Sequence, residues 1–269
     1  MSELVKKCAE RLARLRWQRP MIHHITNAVV QNFTANVTLC LGAAPVMAPA
    51  RAEVEEMVAA AGALLLNIGT LDEELVDSMI QAGKRANALG IPVVLDPVGA
   101  GATRLRTGAC RAIMDAVRLS VLRGNAGEVL ALAGAGGRVR GVDSMESGRL
   151  DENRLRAMAR DFGFTVAVTG EVDLVTDGST LFRIRNGHPM MGRVTGTGCA
   201  ATTAVAAFLA QDAAQAAEAS ACALAVFGLA GEVAARHATG PGTFVPHLLD
   251  ALAGLDEAVV ASGARVEAA

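Results

Sequence analysis

Short apolar runs punctuated by glycine, proline and acidic residues recur along the chain, with helix-period segments between them. Ala63 to Ile68 reads as a buried strand, and the pattern after it predicts a helix from about Asp72 to Leu89. Ile91 to Leu95 is the next strand, ended by Asp96-Pro97, because proline lacks the N–H that a central ladder needs. Leu119 to Leu122 follows, with Asn125 placed to cap the helix after it. A helix over Asp151 to Asp161 leads into a strand from Phe164 to Val168. Val172 to Thr176 and Thr180 to Arg185, joined through Asp177-Gly178, read as an antiparallel hairpin. From Thr197 onward the pattern is helical with no further strand, through Ala200 to Ala210 and the alanine-rich Ala219 to Ala235.

Alternation of this kind predicts one α/β domain over residues 1–269: a doubly wound, mostly parallel sheet with helices on both faces. Ligands of such sheets collect at the carboxyl ends of the strands. The polar residues that close the apolar runs are Asn67, Asp96, Arg123, Asn125 and Thr169, so all five are expected on one edge. Gly134 to Gly148 reads as a glycine- and charge-rich loop.

Composition narrows the chemistry. Hydrophobic residues make up 52% of the chain but aromatics only 3%, so the core is built of Ala, Val and Leu, as suits helices packed on a buried parallel sheet. The formal charge of −2 gives no electrostatic case for nucleic acid or an anionic membrane. The positive mean hydropathy, +0.34, raises the question of a membrane span. Its best candidate, Ala219 to Ala235, contains Gly228 and Gly231 and reads instead as a buried core helix. With no apolar signal core near the start, the expected location is cytoplasmic. Five scattered cysteines without CxxC spacing indicate neither disulfides nor zinc.

The sharpest motif is Gly196-Thr197-Gly198-Cys199, directly before a helical run. A helix start offers unsatisfied N–H groups and a positive dipole end, which suits an oxyanion. The string also satisfies a loose dinucleotide fingerprint, GxGxxA, but that reading needs a following βαβ unit, and the sequence downstream is helical. No GxxxxGK[ST] string occurs, which removes the P-loop class. Asp96 at a strand end is a candidate for holding Mg²⁺ or is a plain turn aspartate. Asn125 and Glu128 are either site residues or a helix cap with its first-turn acid. Arg123 suits phosphate oxygens. His23 and His24 are adjacent and point to opposite faces if extended, so joint metal ligation is not expected. Met47 reads as a core residue.

In order along the chain, Ile25-Thr26-Asn27, Pro45-Val46-Met47-Ala48, Leu66-Asn67-Ile68-Gly69-Thr70, Asp96-Pro97-Val98-Gly99-Ala100-Gly101, Gly124-Asn125 with Glu128, Val168-Thr169-Gly170 and Gly196-Thr197-Gly198-Cys199 resemble the motifs of the hydroxyethylthiazole kinases of thiamine salvage, within the ribokinase-like fold. The resemblance covers nearly the whole chain, and Cys199 stands where sister families of the fold generally carry aspartate.

That resemblance implies ATP-dependent phosphorylation of the primary hydroxyl of 4-methyl-5-(2-hydroxyethyl)thiazole, with Mg²⁺. It places Met47, Gly196 and Asn27 at the thiazole, Arg123 and Thr169 at ATP, and Asp96 and Glu128 at the metal and phosphates. It also implies a homotrimer with thiazole sites between subunits. Backbone N–H groups of Gly196, Thr197, Gly198 and Cys199 would form the anion hole. Cys199, its thiol lowered by the helix terminus, is expected to act as a weak base. The rival readings are a hydroxymethylpyrimidine or pyridoxal kinase of the same fold, a cysteine-nucleophile hydrolase or transferase, and a non-catalytic nucleotide sensor.

Overall fold

The computed structural model describes residues 2–133 and 151–269, so the predicted Gly134 to Gly148 loop lies outside the described residues. The strands are β1 (Met21–Ile25), β2 (Ala44–Met47), β3 (Ala63–Asn67), β4 (Val93–Asp96), β5 (Val121–Asn125), β6 (Thr165–Thr169), β7 (Asp173–Thr176), β8 (Leu181–Ile184) and β9 (Val266–Ala268). They form a single sheet among the described residues, in the order β2-β1-β3-β4-β5-β6-β7-β8-β9. β1 to β6 run parallel, and β7, β8 and β9 are each antiparallel to their predecessor in the sheet.

The helices are α1 (Glu3–Gln18), α2 (Gln31–Leu41), α3 (Val54–Ala59), α4 (Glu73–Leu89), α5 (Arg104–Ala116), α6 (Ala126–Ala133), α7 (Glu152–Phe162), α8 (Thr197–Leu209), α9 (Ala216–His237), α10 (Pro241–Gly254) and α11 (Glu257–Gly263). Period-2 alternation along the strands sorts them into two layers. Leu65 and Val94 face a cluster built from α1, α2, α8, α9 and α10, whereas Leu64, Leu66, Val93 and Leu95 face α3, α4 and α5. α6 and α7 close the second face over Val166 and Val168. The doubly wound expectation therefore holds.

Local rules account for most boundaries. Asp72 and Asp151 stand just before α4 and α7 and accept hydrogen bonds from Leu75 N and Arg154 N at 2.7 and 2.8 Å, satisfying N–H groups that a helix start leaves open. The Asp177-Gly178 turn works because Gly178 has φ +93°, a conformation that suits glycine, and because Asp177 Oδ1 accepts from Ser179 N and Thr180 N. The long apolar stretch of 213–237 has 78% of its most apolar window buried inside the protein, which makes it a core helix.

Two readings are corrected. The chain is not free of strands after Thr197: β9 adds antiparallel to β8, a three-residue segment too short for periodicity to reveal. Met47 is not a core residue, because β2 is an edge strand and Met47 on it is only half-buried. His23 and His24 are core residues instead. His23 Nε2 bonds Ala48 O at 2.8 Å and His24 Nε2 bonds Thr38 Oγ1 at 3.2 Å. Burial lowers both imidazoles, His24 to about 3, so both are neutral.

Candidate active site

The strands β3 to β6 run one to three residues past their apolar cores, and these extra residues stay in the ladder. Asn67 is paired with Asp96 across β3 and β4, and Asn125 with Thr169 across β5 and β6. The backbone ladder thus fixes the spacing of the polar edge before any side chain contributes.

A chain of buried hydrogen bonds crosses that edge. Asn27, just beyond β1, donates from Nδ2 to Asn67 Oδ1 at 2.7 Å. Asn67 Nδ2 in turn donates to Asp96 Oδ2 at 2.8 Å. Thr202, one turn into α8, donates to the same Asp96 oxygen at 2.8 Å. Arg123 Nη1 donates to the carbonyl of Gly198 at 2.8 Å, and its Nη2 to Thr169 Oγ1. These contacts dock the N-terminus of α8 onto the strand ends.

That N-terminus has no side-chain cap, and Gly196 before it has φ +90°. A Cβ on Gly196 would lie 2.8 Å from Val30 Cγ1, so glycine is needed here for conformation and for space. A Cβ on Gly198 would lie 3.2 Å from Arg123 Nη1. The first amides of α8, those of Thr197, Gly198 and Cys199, point out of the helix start as donors. Cys199 Sγ sits 3.7 Å from Asn27 Nδ2 on the other side of the turn.

Electrostatics follow from this packing. Asp96 is 1% exposed, and burial pushes its carboxyl up to about 6 despite the opposing charge of Arg123 and the Thr202 hydrogen bond. Burial, followed by the charge of Asp96, pushes the Cys199 thiol up to about 11. This reverses the expected direction, because an apolar and anionic neighbourhood outweighs the helix terminus. Asp173 is likewise raised by burial, to about 6, against the hydrogen bond it accepts from Gly170 N.

Glu128 forms the reciprocal helix cap with Asn125: its Oε2 accepts from Asn125 N at 2.9 Å while Asn125 Oδ1 accepts from Glu128 N at 3.0 Å. Its Oε1 also accepts from Gly99 N at 2.8 Å, tying the loop after β4 to the start of α6. Glu128 therefore caps α6, and it stands near enough to Asp96 for its charge to raise that carboxyl.

Beside the turn opens a cavity of about 660 Å³, lined by residues that include Arg123, Thr169, Asp173, Met191, Gly198 and Phe227. This is the size range of a small-molecule or nucleotide site. The structure brings Asn27, Asp96, Arg123, Glu128, Thr169 and the Gly196–Cys199 turn to one edge. Met47 stands apart, opposite His24 on the outermost strand. Sequence reasoning missed Thr202 and Arg106. Thr202 is four residues after Gly198, one helical turn, and that spacing in an alanine run was the available signal. Arg106 donates to the carbonyls of Val98 (2.8 Å) and Gly69 (2.9 Å), bracing two strand-end loops, and no local pattern announces it.

The sequence model of the hydroxyethylthiazole kinase family matches residues 12–258. The chain belongs to the hydroxyethylthiazole kinase family. It is 56% identical to the hydroxyethylthiazole kinase of Methanoculleus marisnigri over 95% of this chain and 91% of that one. The solved structure of a hydroxyethylthiazole kinase from Pyrococcus horikoshii superposes with a TM-score of 0.90 at 44% identity, covering 98% of this chain and 99% of that one. A ribokinase-like superfamily protein from Enterococcus faecalis matches at TM-score 0.62 and 14% identity, over 88% of each chain, which speaks to the fold alone. The ribokinase-like expectation thus stands, and the hydroxyethylthiazole kinase motifs read from the sequence, except that of Met47, meet at the strand edge.

Proposed function

We propose that this chain transfers the terminal phosphoryl group of ATP to the primary hydroxyl of 4-methyl-5-(2-hydroxyethyl)thiazole, in thiamine salvage. The observation that carries the reading is the position of the Gly196–Cys199 turn. Thr197 and Gly198 face the cavity, while Cys199 meets Asn27 on the far side. A phosphoryl group entering from the cavity would meet the α8 amides before it met an alcohol held near Asn27.

The chemistry follows from what phosphoryl transfer requires. Its transition state is loose, so positioning and charge stabilisation dominate. The amides of Gly196, Thr197, Gly198 and Cys199 form the anion hole. Arg123 holds ATP phosphate: its guanidinium lines the cavity, and its fixed charge suits phosphate oxygens. Thr169 steadies that guanidinium and lines the nucleotide cavity. Cys199, with its thiol held high, is at most a weak base beside the hydroxyl.

Asp96 and Glu128 are carboxylates with no ion-pair partner within 4.0 Å among the described residues, a donor set that suits a hard cation. We assign them to Mg²⁺, which would neutralise charge on the phosphates when bound. Met47, Gly196 and Asn27 are assigned to the thiazole. Because Met47 lies on an edge strand, and Leu39 on the adjoining α2 is 57% exposed, this face is assigned to a homotrimer contact that completes a neighbour's site. The cytoplasm is the proposed location.

An ADP-release assay comparing hydroxyethylthiazole, hydroxymethylpyrimidine and pyridoxal tests the reading. The thiazole should be preferred; preference for either alternative would overturn the substrate while leaving the fold intact.

A further inference from the structure

A carboxylate on α9 meets one wall of the cavity beside the Gly196–Cys199 turn. Asn186 and Gly187, which follow β8, line that cavity. Glu232 Oε1 accepts from Gly187 N at 2.8 Å and from Asn186 Nδ2 at 3.1 Å. The same carboxylate receives Arg265 in a two-pronged pair, Nη2 to Oε1 at 2.6 Å and Nη1 to Oε2 at 3.0 Å.

The Asn186 side chain is fully engaged in this arrangement. Its Nδ2 also donates to Gly263 O at 2.9 Å, and its Oδ1 accepts from Arg265 N at 2.6 Å. α9 meets the same segment through two glycines. A Cβ on Gly228 would lie 2.6 Å from Asn186 O, and one on Gly231 would lie 2.5 Å from Met191 Sδ. Helix α9 therefore presents close backbone contact and one carboxylate to residues 186–191, a stretch with little ladder of its own. A partly exposed ion pair such as Glu232–Arg265 contributes little by itself. The bonds to Gly187 and Asn186 are different in kind, because their partners form the cavity wall.

We infer that Glu232 is a positioning residue for the nucleotide: it fixes the Asn186–Gly187 wall, and Arg265 fixes Glu232. The inference rests on the reading of this cavity as the ATP site. Burial raises the Glu232 carboxyl, but the donors from Arg265, Gly187 and Asn186 outweigh it and hold the group below the ordinary range, so it stays ionised at neutral pH. Loss of the carboxylate frees the wall, which weakens ATP binding without touching the alcohol site or the anion hole.

The test uses full-length Glu232→Ala, Glu232→Gln and Arg265→Ala, each with KM for ATP, KM for hydroxyethylthiazole, kcat and Tm. Glu232→Ala should raise the ATP KM about tenfold with the thiazole KM nearly unchanged, the signature of lost ground-state nucleotide binding. Glu232→Gln, which keeps an acceptor for Gly187 N, and Arg265→Ala should each raise it less. A lowered Tm with an unchanged ATP KM in the folded variants makes Glu232 a structural tether and overturns the inference; should Glu232→Ala not fold, the other two decide. Hydrogen exchange of the wild-type protein on adding ATP separates the two readings. Protection of 186–192 together with an unmoved ATP KM sinks this inference alone, whereas no protection there sinks the cavity assignment with it.

Discussion

Arg123 Nη1 donates to the carbonyl of Gly198 over 2.8 Å, so a guanidinium from the end of β5 and the first turn of α8 are held in one register. The donors proposed to meet phosphate therefore move together or not at all. A change to either residue is a change to both.

Gly198→Val should be more damaging than either change at Cys199. The new Cβ meets Arg123 Nη1 at 3.2 Å, tighter than an ordinary contact, and the guanidinium must shift. Loss of one preorganised oxyanion donor costs about 10²–10³ in kcat, and a fall of at least about a hundredfold is expected. Steady-state kcat with circular dichroism checks it; near-normal turnover would place the anion hole elsewhere.

Cys199→Ala should lower kcat by less than about tenfold, because a full general-base contribution of about 10²–10⁴ needs a group ionised at working pH. With the thiol at about 11, Cys199 is protonated at neutral pH. Cys199→Asp should keep or raise kcat. Iodoacetamide labelling of Cys199 at neutral pH, followed by peptide mass spectrometry, should run roughly a hundredfold slower than for an ordinary thiol with pKa 9.0. Complete inactivity of the aspartate variant would remove Cys199 from any base role.

Thr202→Val keeps the side-chain shape but deletes the donor to Asp96 Oδ2. A buried carboxylate left short of one hydrogen bond costs about 1–3 kcal/mol, so a roughly tenfold fall in kcat with an unchanged far-ultraviolet spectrum is expected. An unaltered kcat would mean that Asn67 alone orients Asp96.

His24 should make stability fall on mild acidification. Its folded pKa, about 3, lies below the unfolded value of 6.5, so the unfolded state takes up a proton first as pH drops. The stabilisation is complete above pH 6.5 and is lost progressively towards pH 3. Between pH 6.5 and 5 the loss from His24 is about 2 kcal/mol. Urea midpoints at pH 7 and pH 5 should diverge less in His24→Gln than in the wild type; equal divergence would refute the assignment.

β3 to β6 and the helices α4, α6 and α7 were legible because they carry their own punctuation, such as Asp72 before α4 and Asp96-Pro97 after β4, whereas β1, β2, α2, α3 and α5 were not. The shared edge was legible too, since Asn67, Asp96, Arg123 and Thr169 each close an apolar run. Long-range relations were not. β9 is three residues long and owes its existence to pairing with β8, and Arg106 acts through carbonyls at Gly69 and Val98, 37 and 8 residues away. The Cys199 thiol misled for a related reason: a helix terminus is visible in sequence, but the enclosing burial and the Asp96 charge appear only on folding.

The pairing of α8 with α9 through alanine bears on how this lineage can vary. Ala200, Ala204, Ala219, Ala221, Ala223 and Ala230 are all 0–1% exposed. At such positions a larger residue overpacks, at about 1–3 kcal/mol, and glycine loosens the helix by about 0.5–1 kcal/mol. Neither direction of drift is neutral, so the helical layer beneath the site is close to a fixed point. Adaptation to heat or cold in relatives of this chain should therefore be written on the exposed helix faces and in surface charge, where substitutions carry no such penalty.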